Sequence, residues 1–217
     1  MCSNKKPKIA ILSLRNSYNY GGVLSSLKVA YQFCEHYFQP TVFFLSFDPE
    51  LSTSIKKGKF TSSVRQLSYF GMNCIEIGAR WAFWEPGHYT FTLSYWQELL
   101  KDYDYFFVVS GTCIAAHPLV QLKKPFTMWI GTPYNEDRAE RVKSFKGLRA
   151  VFNKLAHKKM LSIEKQILKK SRFTWPISTY AHSQFQKILR ETPANMLLCG
   201  YPINYEHPIF NAHSVTI

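Results

Sequence analysis

Short apolar runs alternate with segments of helical spacing along nearly the whole chain. The first run, KIAILSL at 8–14, lies between a charged tail and a polar loop, and predicts a buried strand. After Gly21 and Gly22, the residues Val23, Leu27, Ala30, Tyr31, Cys34 and Phe38 recur at three- and four-residue steps, which predicts an amphipathic helix ending before Pro40. TVFFLSF at 41–47 predicts the second strand, and the Ser-, Thr-, Lys- and Gly-rich stretch 49–63 a loop. Val64–Phe70 reads as a short helix with Gly71 just past its end. NCIEIG at 73–78 is a third strand, and TLSYWQELLKDY at 92–103 has helical character. DYFFVVSG at 104–111, KPFTMWIGT at 124–132, FTWPIS at 173–178 and NMLLCGYPI at 195–203 continue the strands. AAHPLVQL at 115–122 is a short helix or an irregular turn, and the aromatic stretch 79–91 carries a Pro86-Gly87 turn signal without a clear period.

Strands that are apolar throughout, separated by helices, predict an α/β fold: one Rossmann-like, doubly wound parallel sheet with helices on both faces, spanning residues 1–217. No internal repeat or linker divides the chain. In such sheets ligands gather at the carboxyl ends of the strands. RNSYNYGG, SGTCIAAH, IGTPYNEDR and STYAHS, each beginning where a strand stops, are therefore the segments of interest.

The residue totals add partners to this picture. Of 217 residues, 46% are hydrophobic and 19% charged, enough apolar material for a real core. No run is long enough to span a bilayer, and the apolar segment after the basic N-terminus is too short for a signal peptide. Five widely spread cysteines without a C-x-x-C pair fit neither a metal site nor a disulfide framework, so reduced thiols and a cytoplasmic location are expected. A net charge of +13 points to a polyanionic partner.

Much of that charge lies in 141–172, where eleven cations accompany Glu164 as the single acid. Leu148, Val151, Phe152, Leu155, Ala156, Met160, Ile163 and Ile167 mark an apolar stripe expected to face the core. A merely solvated face usually mixes signs to form i,i+4 pairs, and this one barely does. Lys154, Lys158, Lys159, Lys165, Lys169 and Lys170 are thus candidates for a patch facing an anionic membrane or another polyanion. Nucleic acid suits the charge, but no helix-turn-helix, zinc-finger or RNA-recognition signature accompanies it, so it is the less favoured partner.

The order of segments resembles the first half of GT-B glycosyltransferases, family four in particular. KIAILSLRNSYNYGGVLSSLKVAYQF is similar to their first strand, Gly-Gly loop and first helix. YDYFFVVSG resembles the strand opening toward the acceptor cleft. IEKQILKKSRFTWPISTYAHSQFQKIL resembles the stretch with a Glu on a long helix, then a strand, then Ser; Glu164 and Ser178 stand at those places. CGYPINYEHPIF resembles the segment closing the first domain, with Asn204 where Asp is usual. The family's His after the strand matching KPFTMWIGT has no counterpart, since Gly131 and Thr132 occupy that neighbourhood, so no catalytic His carries over and the resemblance names no catalytic residue. The glycine-rich opening and paired glutamates of the donor-binding half are not found either.

The resemblance implies the acceptor-side domain of a retaining enzyme that transfers a hexose from a nucleotide sugar to a lipid-linked or polysaccharide acceptor, inactive without a donor-binding domain or subunit. It implies a nucleotide sugar as substrate and no resident cofactor or metal. Gly21 and Gly22 are the expected donor-phosphate contacts: glycine lets an anion reach the main chain, and amides at a helix N-terminus face it. A plain strand-to-helix turn explains the same pair. Tyr20, Ser110, Gly111, Thr132, Tyr134, Glu136 and Arg138 are expected near the acceptor, with Asp137 beside Glu136 as a second carboxylate to orient a hydroxyl. Tyr18, Trp81, Phe83 and Trp84 are further aromatic candidates. The alternative is a non-catalytic Rossmann-like module, peripheral on an anionic membrane or bound to a protein.

Overall fold

The computed structural model describes residues 6–15, 22–81, 84–136, 138 and 147–200. Tyr18, Tyr20, Gly21, Phe83, Asp137, the start of the basic segment at 141–146 and Asn204 lie outside the described residues.

A seven-stranded sheet organises the chain, in the order β3-β4-β2-β1-β5-β6-β7. The strands are β1 (Lys8–Arg15), β2 (Gln39–Ser46), β3 (Val64–Tyr69), β4 (Met72–Gly78), β5 (Tyr105–Ser110), β6 (Thr127–Ile130) and β7 (Phe173–Pro176). Leaving β3 aside, the order from β4 to β7 is that of a doubly wound dinucleotide-type sheet, and every pair in it is parallel. Between strands run α1 (Gly22–Tyr37), α2 (Glu85–Thr90), α3 (Leu93–Leu100), α4 (His117–Gln121), α5 (Gly147–Lys170) and α6 (Thr179–Leu189). The fold is α/β, and the single Rossmann-like sheet read from the sequence is the one observed, apart from its antiparallel edge.

Alternation within the strands sends side chains to two cores. Ile9, Ile11, Val42 and Phe44 pack under α1 through Leu24, Leu27, Ala30 and Cys34. Ala10, Leu12, Phe43, Leu45, Val108 and Met128 face the other way, toward Trp96, Leu119, Ile163 and Phe185 of the remaining helices. Burial on both faces is why these strands read as unbroken apolar runs.

Three segments differ from their expected form. Val64–Tyr69 is a strand, not a helix, and pairs antiparallel with β4. Val64, Leu67 and Phe70 imitate helical spacing, while the actual half-buried positions alternate as Arg65, Leu67 and Tyr69. Gly71 closes a two-residue hairpin turn with Phe70, both at positive φ (79° and 50°), so the glycine expected past a helix serves a turn that needs the same backbone region. The edge is held by Arg65, which donates to the buried Glu76 (2.5 Å) and to Asp48 (2.9 Å). The aromatic stretch after β4 contains α2, opened by Trp84 with Pro86 in its first turn. Residues 196–199 form no regular strand but run parallel beside β7: Leu197 N donates to Thr174 O at 3.0 Å and Cys199 N to Pro176 O at 2.9 Å.

The apolar stripe of α5 divides in two. Ala156, Met160, Ile163, Ile167 and Leu168 are buried, as expected of a core face. Val151, Phe152 and Leu155 are not: they are 59%, 43% and 62% exposed. Helix geometry explains this: at about 100° per residue, Val151 and Leu155 point away from the side that carries Met160, Glu164 and Ile167, and Phe152 stands at its margin. The helix is also long. Twenty-four helical residues reach about 36 Å, whereas the four residues of β6 reach about 13 Å. Glu164 already meets the loops that follow β5 and β6, so the turns before it stand beyond the carboxyl edge of the sheet.

Gly78 shows how tightly the loop 48–54 lies on the end of β4. A Cβ there would overlap the Leu51 carbonyl and stand 2.8 Å from Ser52 N, both backbone. Gly78→Ala is expected to lower stability in urea denaturation by more than about 2 kcal/mol, and Gly200→Ala, where a Cβ meets nothing within 4 Å, by less than about 0.5 kcal/mol. Equal effects would contradict this packing.

Candidate functional site

The carboxyl ends of β1, β5, β6 and β7 bring together most of the segments singled out in the sequence. Gly22, exposed, is the first residue of α1. Val23 next to it lies over Gly111, where a Cβ would stand 3.5 Å from Val23 Cγ2. Gly111 O in turn accepts from Thr132 N at 2.7 Å and from Thr132 Oγ1 at 3.3 Å. The N-terminus of α1, the loop after β5 and the loop after β6 therefore form one continuous rim. Gly131 is required there, since a Cβ would press on Gly111 O at 2.9 Å. β7 completes the rim. Ile177 N donates to Ile130 O at 3.1 Å, and Ser178 caps α6 by accepting from Ala181 N at 3.1 Å.

The expected acceptor residues separate by orientation. Thr132 and Glu136 are exposed on the rim. The Glu136 carboxylate hydrogen-bonds the Tyr180 hydroxyl of α6, which raises the Tyr180 pKa above its usual value. Ser110 is buried, and so is Tyr134, whose ring packs in the core 5.6 Å from that of His157 and 5.9 Å from the Arg138 guanidinium carbon. The polar stretch after Thr132 is thus not presented to the cleft as a block: Tyr134 turns inward because it anchors the loop. Asn135 is exposed and pairs through Oδ1 with His157 Nε2 at 3.1 Å. Trp81 holds φ at 54°, with its amide donating to Thr53 Oγ1 at 2.8 Å, and Trp84 packs on Phe91. Lys154, Lys158, Lys159, Lys169 and Lys170 are exposed along α5 and Lys165 is half-buried.

Under the rim lies a buried polar cluster that sequence reasoning did not assemble. Glu164 is wholly buried. Its Oε1 accepts from Tyr134 N at 2.8 Å and lies 3.8 Å from Cys113 Sγ, while Oε2 has no hydrogen-bond partner among the described residues. Loss of solvent dominates and pushes the carboxyl up to about 7, against the opposing pull of the Tyr134 amide and the Cys113 thiol. Burial and the nearby carboxylate raise the Cys113 thiol well above its ordinary value. His117, edge-on to Tyr89, is driven down to about 4 by burial and by the positive charge of Lys159. Glu164 was marked in the sequence by its isolation among lysines and by the resemblance of its helix to one that carries a Glu, but not as a buried group. Cys113, His117 and Tyr180 carried no signal, because each meets its partner across tens of residues. Among the described residues no group of three or more His, Cys, Asp or Glu is placed to hold a metal ion.

Comparison of the chain with protein-family models and with curated proteins gives no match.

The two displaced ionisations oppose each other. The unfolded chain releases the Glu164 proton near pH 4.5 and the folded chain only near 7, so folding is progressively disfavoured as pH rises through that interval. The unfolded chain protonates His117 near pH 6.5 and the folded chain only near 4, so folding is disfavoured as pH falls through that interval. Each effect is worth about 3 kcal/mol at full extent. Relative to the parent protein, Glu164→Gln is expected to gain stability between pH 4.5 and 7, and His117→Leu to gain between pH 6.5 and 4. Urea midpoints measured across pH check this, and curves parallel to the parent's would refute it.

Proposed function

We propose that this chain is the acceptor-side half of a hexosyltransferase, working with a donor-binding half supplied by another domain or subunit. The observation that carries the reading is the continuous rim: exposed Gly22 at the start of α1, Gly111 and Thr132 stand side by side at the carboxyl edge of a parallel sheet. In a sheet of this order the crevice at those ends is where ligands settle. The leading amides of α1 offer donors and a positive dipole end to a diphosphate that leaves the sugar. Glu136 and Tyr180, hydrogen-bonded to each other on the same edge, offer an acceptor and a donor for orienting a hydroxyl of the receiving glycan or lipid. The order of sequence segments, from the first strand to Ser178 capping α6, adds the resemblance to retaining GT-B enzymes as further support.

A second reading, a peripheral module on anionic membrane, is favoured by one observation: Lys154, Lys158 and Lys159 are exposed on α5 while its only acid, Glu164, is buried. No described helix is long and apolar enough to cross a membrane. The two readings are compatible, because a lipid-linked acceptor would be met at the bilayer surface.

Amide NMR spectra titrated with UDP- and GDP-hexoses test the first reading. Shifts are expected at Gly22, Gly111 and Thr132, and Gly22→Glu should weaken the interaction on the order of tenfold by placing a like charge at the phosphate. Shifts confined to other regions, or none, would count against it. With a donor half present, Tyr180→Phe and Glu136→Gln are expected to slow transfer roughly tenfold without lowering the melting temperature.

A further inference from the structure

We infer that the first turns of α5 are a membrane-inserting arm, in which Val151, Phe152 and Leu155 enter the interface of an anionic bilayer while Lys154, Lys158 and Lys159 bind its headgroups. This rests on the membrane reading above and not on sugar transfer.

Position comes first. Glu164 meets the loops at the carboxyl edge, and the helix continues toward its N-terminus past that edge, so residues 151–155 stand clear of the sheet. Exposure follows from position. The three apolar side chains are 59%, 43% and 62% exposed: Val151 and Leu155 lie on the side of α5 opposite the buried Met160 and Glu164, and Phe152 stands at the margin of the buried face. Apolar side chains grouped on the outer face of a helix expose surface that water does not favour.

Charge then selects the occupant. Lys154, Lys158 and Lys159 are exposed, and the described residues give none of them an ion pair. The one acid of α5 is wholly buried, so the helix presents no carboxylate to an approaching anionic surface. A polynucleotide would use the lysines but would gain nothing from Val151 and Leu155. A neutral protein groove would use the apolar trio but not the unopposed cations. An anionic leaflet uses both, since apolar side chains sink to the acyl boundary and lysines remain at headgroup level. The +13 charge of the whole chain favours the same surface at longer range.

Flotation of the full chain with phosphatidylcholine vesicles, with and without 30% phosphatidylserine, tests the inference. Here ~30% follows the anionic character of cytoplasmic leaflets. The parent is expected to float with the anionic vesicles and not with the neutral ones. The variant Val151→Ser/Phe152→Ser/Leu155→Ser should lose at least about tenfold in partitioning with an unchanged melting temperature, because these side chains support no core. The variant Lys154→Gln/Lys158→Gln/Lys159→Gln should lose on the order of a hundredfold. Binding to anionic vesicles that the serine variant retains in full would overturn insertion but leave the membrane reading standing. Failure of the parent to float, or its displacement from vesicles by short RNA at low salt, would overturn both.

Discussion

A single carboxylate oxygen joins the long basic helix to the loop that follows β6. Glu164 Oε1 accepts from the Tyr134 amide at 2.8 Å inside the protein, where neither group has access to water. If that bond were absent, a main-chain donor would be stranded in the core, at a cost of roughly 1–3 kcal/mol. The bond fixes the height of α5 against the sheet and holds Tyr134 inward. Gly131, Thr132 and Glu136, on either side, take their places on the rim from that anchor. The ionisation cost of Glu164 is the counterpart of this arrangement: the oxygen that accepts from Tyr134 belongs to a group whose charge the surroundings disfavour.

The sheet was legible in the sequence because strands buried on both faces leave an unmistakable trace. KIAILSL, TVFFLSF and DYFFVVSG became β1, β2 and β5, and the helix marked by Leu27, Ala30 and Cys34 became α1. β3 was not legible, since in a half-exposed edge strand of six residues a period of two is easily taken for one of 3.6. α2 escaped because its burial involves His88 and Tyr89 among aromatic neighbours, with no repeating stripe over six residues.

The rim was partly legible. Strand ends located Gly22, Gly111 and Thr132 as neighbours, for a parallel sheet aligns those ends whatever the side chains are. Side-chain direction was not legible. Tyr134 and Glu136 are two residues apart, yet one packs in the core and the other meets Tyr180 from the next crossover. The apolar residues of α5 show the same limit: read at three- and four-residue steps they form one stripe, but Val151 and Leu155 stand more than about 100° around the helix from Met160 and Ile167 and so face outward.

The segment 196–199 runs beside β7 in the same direction as the strand. Its last residues, near Pro176, therefore point the backbone upward past the ends of the parallel strands, and Trp129 Nε1 donating to Cys199 O at 3.2 Å pins that departure. Cys199 and Gly200 therefore lie at the same end of the sheet as Pro176 and the start of α6. The segment thus adds a partial row of main-chain hydrogen bonds outside β7, so that this flank of the sheet is not left as a bare strand edge.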